Sequence, residues 1–183
     1  DGRVVKAEVP HHRPEWLRAM IFNTRRPVFQ DRQVREALNL MFNFDWINKN
    51  LFFNAFRRVS SVYPNSELAA SGKPQGEELA QLKKYKDHLP PEVFGNAWQP
   101  PAGDMRDNQR QAMALLKQAG WVYKDQTLVN EKTGEVFIFE ILLNDPGDEK
   151  IALEFARALK KLGIAARVRT VDSAQITGRL DAY

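Results

Sequence analysis

Residues 137–171 constrain the fold of this chain more than any other stretch. Phe137, Phe139, Ile141 and Leu143 alternate along one face of a strand. Ile151, Phe155, Leu159 and Leu162 then recur at helical spacing over residues 148–162. Gly163 supplies the left-handed residue that ends this helix, and a second strand over 164–171 begins at once. Strand, helix and strand joined by so long a crossover pair in parallel, as a right-handed βαβ unit. The fold class that follows is α/β, with a mixed sheet and flanking helices.

The first half is less regular. Residues 17–23 suit a strand that ends in Phe22-Asn23-Thr24, followed by a turn closed at Pro27. A helix over 31–43 comes next. Asp31 is placed to cap it, because its carboxylate accepts free amide hydrogens of the first turn. Val34, Leu38 and Met41 give that helix one apolar stripe. A short helix restarts at Asp45 with Trp46, Ile47 and Leu51. Trp46 and Phe52 read as core, and Phe53, Phe56 and Tyr63 as an apolar surplus beside them. Residues 58–76 are rich in Ser, Gly, Pro and Asn and read as a long ordered loop, a kind of segment that is usually functional. A helix over 77–87 follows, acidic at its start and basic at its end. Four prolines make 89–104 irregular. Asp107 or Asn108 is placed to cap a helix carrying Ala112, Leu115, Leu116 and Ala119, which Gly120 ends. Residues 127–145 read as a hairpin turning at 131–134.

Composition bounds what such a chain can do. With 183 residues, 43% of them hydrophobic, it is long enough for one globular core. No window reaches the roughly 18 consecutive apolar residues that mark a membrane helix. There is no cysteine, which excludes disulfides and thiolate metal sites. The net charge of +4 is uneven, since residues 1–60 hold 11 Lys/Arg against 6 Asp/Glu. A basic third of this kind suits nucleic acid or another anionic partner. Its arginines are scattered, however, and Arg32 and Arg35 fall on the polar side of a helix, so the charge reads as solvated surface. Ser60, Ser61, Ser66 and Ser71 lie in the long loop outside any nucleophile-elbow motif. His11 and His12 are adjacent on an extended segment and so point to opposite faces, with no third metal ligand nearby. No glycine-rich phosphate loop is present. The expectation is therefore no enzyme, no cofactor and no metal. A basic nucleic-acid-binding module and an isolated hydrolase domain are the rival readings.

The order of motifs carries a resemblance. FNT, two variable residues, P, F, D, VREAL, D and I over residues 22–47 are followed by ALLKQAGW, a hairpin, FEILLND, a helix, LKKLGI and ARVRTVD. In this succession the chain resembles family 5 of the extracellular (periplasmic) solute-binding proteins of peptide-type ABC importers, and is especially similar to their oligopeptide- and microcin-uptake branch. The resemblance implies one lobe of a type II two-lobe receptor. It matches only the middle, second-lobe portion and stops one strand short, so the chain reads as truncated at its C-terminal end. Residues 1–15 would be an extended lead-in from the absent first lobe, and 16–183 a single α/β lobe. The implied function is capture of oligopeptide-like solutes in the periplasm and delivery to membrane permease subunits, without catalysis. An open sheet edge left by the missing strand would favour self-association.

Four residues are singled out for ligand binding. Ligands of open α/β sheets sit in the crevice outside the carboxyl ends of the strands. That rule selects Asn23, at a strand end, and Asn144, after the strand over 137–143. The resemblance adds Asp148, at a helix start, and Arg179, whose guanidinium suits a peptide carboxylate. The plainer role for Asp148 is to cap its helix.

Overall fold

Two helices with apolar stripes, one in each half of the chain, pack on each other. In this computed structural model all residues are described except 1, 2, 6, 8, 102 and 183. α1 (Pro27–Gln30) is a single turn opened by its proline, and α2 (Arg32–Leu40) follows directly. Between them Asp31 is extended, and its Oδ1 accepts the Gln33 amide hydrogen at 2.7 Å. The expected cap is therefore present. Val34, Ala37, Leu38 and Met41 are fully buried or nearly so, as the stripe requires. α3 (Phe44–Phe52) is capped by Asn43, and α4 (Gly76–Lys84) starts on two glutamates and ends on two lysines. α5 (Met105–Gln118) buries Ala112 and Leu116, and it packs on α2.

The remaining elements are three strands in succession, then helix, strand and helix. β1 (Trp121–Lys124) and β2 (Thr127–Asn130) form an antiparallel hairpin. β3 (Ile138–Leu143), α6 (Glu149–Lys160) and β4 (Ala165–Thr170) form the anticipated βαβ unit. β3 and β4 are parallel, with Ile138 opposite Ala165 and Leu143 opposite Thr170. α7 (Ser173–Asp181) closes the order. Gly163 has φ +78, and a Cβ there would lie 2.7 Å from the Leu128 nitrogen and 2.8 Å from the Thr127 carbonyl carbon. Only glycine lets β2 come this close, and the approach is fastened by a hydrogen bond from the Leu128 amide to the Gly163 carbonyl at 2.9 Å. The α/β class is therefore the observed one, its strands forming one antiparallel and one parallel two-stranded sheet.

The chain divides into two compact units. One comprises Ile21–Arg57 with Pro101–Tyr183, and the other Asp1–Met20 with Arg58–Pro100. The first is joined across its two segments by a run of aromatic rings. Phe22 meets Phe29, Phe29 meets Phe139, Phe139 meets Phe137, and Phe137 meets Trp121, with centroids 4.5–6.1 Å apart. Tilted and edge-on pairs of this kind add to the burial of their area. Asn48, buried at α3, uses both ends of its amide on Phe56: Nδ2 donates to the Phe56 carbonyl at 2.7 Å and Oδ1 accepts the Phe56 amide at 3.0 Å. The chain it closes passes through Phe53 and Asn54, both in left-handed backbone. The second unit is organised by polar contacts instead. Asn65 Nδ2 donates to the carbonyls of His11 and Arg13, and Ser61 Oγ accepts from the amides of Tyr63 and Ala70.

Several local expectations are corrected. No strand forms over 17–23, and Ile21 is 92% exposed. A strand needs a partner, and among the described residues the sheets contain none that pairs with this segment. Asp104, not Asp107 or Asn108, caps α5, accepting from the Arg106 and Asp107 amides. Its extended backbone, reached through Gly103 at φ +113, stops the helix from starting earlier. Trp46 is half exposed rather than core, because the buried side of α3 is centred on Ile47 and Asn48. The hairpin β1–β2 was not expected, and its turn at Asp125–Gln126 lacks the glycine that marks such turns.

Candidate functional site

The carboxyl ends of the two parallel strands lead into helix starts. β3 runs into Asn144, which is exposed, and then into a turn in which Asp145 Oδ1 accepts the Gly147 amide at 2.8 Å. That turn is a 3₁₀ segment, Pro146–Asp148, which hands over to α6. Asp148 occupies the N-cap position of α6 with helical backbone (φ −84, ψ −10), and its side chain makes no capping hydrogen bond. Its plainer role as a cap is therefore not the one it plays. β4 runs into Asp172, which does cap. Its Oδ1 accepts the Gln175 amide at 2.8 Å, and its Oδ2 accepts from the Gln175 side chain at 2.8 Å. These hydrogen bonds to the ionised form hold the Asp172 carboxyl below its ordinary pKa.

Asn23 is half-buried and is committed to its own turn. Its Oδ1 accepts the Arg25 amide at 3.1 Å, and its carbonyl accepts the Arg26 amide at 3.0 Å. Asn144 and Asp148 lie on the same connection, between the end of β3 and the start of α6. Arg179 lies two turns into α7, and its Nη1 donates to Glu140 Oε1 at 3.0 Å. The other oxygen of Glu140 is 3.7 Å from Arg169 Nη1. Arg179 is thus drawn to the middle of β3 rather than to its end.

Glu140, Arg169 and Asp172 were not singled out in the sequence. The available signal was a lone carboxylate in an otherwise apolar strand, IFEILL, followed in the partner strand by the alternating arginines of ARVRT. In a parallel pair such alternation puts both arginines on one face. His11, the nearest approach to a metal ligand in the sequence, is engaged by Glu15 and Asn65, and among the described residues no group of three metal-ligating side chains assembles. Two shallow hollows open to solvent run along α5 and reach Trp121 and Tyr123 of β1; none of the four singled-out residues lines them. No helix of the described residues is long and apolar enough to cross a membrane.

Comparisons with known proteins place this geometry. The YejA protein of Escherichia coli K12 is 43% identical over 97% of this chain, which spans 30% of that protein. A probable peptide-binding protein YejA of Agrobacterium fabrum is 40% identical over the whole chain, which spans 31% of it. The chain thus covers about three tenths of the length of these relatives. Among solved structures, the oligopeptide-binding protein AppA of Bacillus subtilis, determined with a nonapeptide, superposes with a TM-score of 0.63 at 21% identity, over 87% of this chain and 27% of AppA. NikA of Brucella suis, determined with Fe(III)-EDTA, superposes with a TM-score of 0.58 at 22% identity, over 86% of this chain and 26% of NikA. These likenesses show a shared fold, that of type II periplasmic binding proteins. Residues 5–183 match the model of the family described as bacterial extracellular solute-binding proteins, family 5 Middle. The chain therefore belongs to family 5 of the bacterial extracellular solute-binding proteins.

Proposed function

We propose that this chain is part of the second lobe of a receptor that captures oligopeptide-like solutes, in the periplasm or outside the cell, and passes them to the permease subunits of an ABC importer. The observation that carries the reading is 40% identity, over the whole chain, to a probable peptide-binding protein. The receptor works without catalysis. Its lobes close on the solute, and burial of most of the ligand surface supplies the affinity. Residues 16–183 form the lobe and 1–15 lead into it. Asn23, Asn144, Asp148 and Arg179 border the solute, with Arg179 meeting a carboxylate. By itself the 183-residue chain associates through the open edges of β3 and β4.

Calorimetry of the full-length protein against a mixed peptide library tests the reading. Binding at micromolar concentration or tighter is expected, with far weaker binding by the 183-residue chain alone. Tight binding of a metal chelate and none of any peptide would replace the substrate class.

A further inference from the structure

One face of the β3–β4 sheet holds more positive charge than it neutralises. Arg167 stands directly across from Glu140 in the strand register. Arg169 is two residues further along the same strand, on the same face. Arg179 reaches the face from α7. Two guanidinium groups thus meet one carboxylate on separate oxygens, Arg179 at 3.0 Å and Arg169 at 3.7 Å, on a face that also carries Arg167. None of the three paired side chains is deeply buried: Arg179 is 40% exposed, Glu140 37% and Arg169 52%. Ion pairs this exposed are weak and exchange readily with an outside ion. The place Glu140 fills has, by construction, the shape and charge that a carboxylate needs.

We propose that Glu140 is a specificity-determining residue that competes with the solute. Its carboxylate occupies the fork of Arg169 and Arg179 when no ligand is bound, and a carboxylate of the solute displaces it. Glu140 thereby lowers the receptor's preference for carboxylate-bearing solutes over neutral ones. The inference rests on the reading that Arg179 borders the solute.

The test compares binding of tri-alanine, its C-terminal amide, and the amide of Ala-Glu-Ala by the full-length protein and its Glu140→Gln, Glu140→Asp and Arg179→Ala variants. Calorimetry gives each dissociation constant. Glu140→Gln is expected to tighten tri-alanine roughly two- to fivefold and leave its amide unchanged, the size of one exposed ion pair. Glu140→Asp should restore wild-type discrimination. A gain confined to the amide of Ala-Glu-Ala would assign the site to an acidic side chain instead of the terminus, with the competition intact. If Arg179→Ala abolishes discrimination while Glu140→Gln leaves it unchanged, the competition is wrong and the role of Arg179 stands. Discrimination that survives Arg179→Ala overturns that role and this inference with it. Failure of wild type and variants to bind any of the three overturns both. Should Glu140→Gln not fold, Arg169→Gln is expected to weaken tri-alanine without weakening its amide, and equal weakening of the two would count against the inference.

Discussion

The two compact units differ in how they are held. Every buried apolar side chain among the described residues lies in the unit formed by Ile21–Arg57 and Pro101–Tyr183. The other unit buries none, although it holds Trp16, Tyr63, Tyr85 and Trp98, each more than half exposed. The cause is pattern rather than apolar content. Pro10, Pro14, Pro64, Pro74, Pro90, Pro91 and Pro100, seven of the ten prolines, fall in this second unit and break up helical periodicity. Without stripes at helical or strand spacing, aromatic side chains cannot be gathered on one side of an element. Backbone turns and side-chain amides give the unit its local order instead. An apolar inventory thus becomes a core only when it is periodic.

The widest test of this contrast pairs two truncations of large side chains. Leu38→Ala, at a fully buried position, should cost about 2–5 kcal/mol in urea unfolding, whereas Trp16→Ala should stay within about 0.5 kcal/mol. Comparable losses would mean that the second unit has a core after all. A second pair separates crowding from backbone strain. Gly163 and Gly72 both have positive φ, but a Cβ at Gly72 meets nothing within 4 Å. Gly163→Ala should cost about 1–3 kcal/mol, and Gly72→Ala less, since only the first must push β2 away. Equal costs would assign the whole effect to φ.

Smaller effects refine the picture inside the well-packed unit. Asp31→Ala removes the α2 cap, at about 1 kcal/mol, and should lower the melting temperature by roughly 2–4 °C. An unchanged melting curve would mean that packing on α5, not the cap, fixes where α2 begins. The slightest effect concerns α7, which buries no residue. Asp172 has its folded pKa lowered, so its contribution is present above the ordinary value of 3.8 and is lost as pH falls through the lower folded value. Amide exchange over 173–181, taken relative to its intrinsic rate, should accelerate as pH falls through that window in the wild type. In Asp172→Ala it should already be fast and show no such step.

Much of the packed unit was legible because its signals are local. The stripe of Val34, Leu38 and Met41, the cap at Asp31 and the βαβ unit broken at Gly163 each depend on residues close in sequence. What escaped was set by distant partners. Residues 17–23 have the composition of a strand but find no strand beside them. The β1–β2 turn uses Asp125 and Gln126 with φ of 49 and 65, a conformation that Asp tolerates but Gln does not advertise. At the candidate site, the strand-end rule selected Asn144, and the resemblance selected Asp148. The pairing of Glu140 with Arg179 spans 39 positions and left no trace beyond an isolated charge in an apolar strand.

The division of the packed unit into two stretches of sequence also has a consequence in time. α2 is made before the helix it packs on, α5, which lies beyond the whole of the proline-rich unit. At ~5–20 residues per second, the 64 residues between them take roughly 3–13 s to be made. Over that interval Val34, Leu38 and Met41 have no native surface to cover them. A growing chain of this design therefore depends on whatever shields an orphaned helix, whether a chaperone or a translocation channel that holds it extended, until its other half arrives.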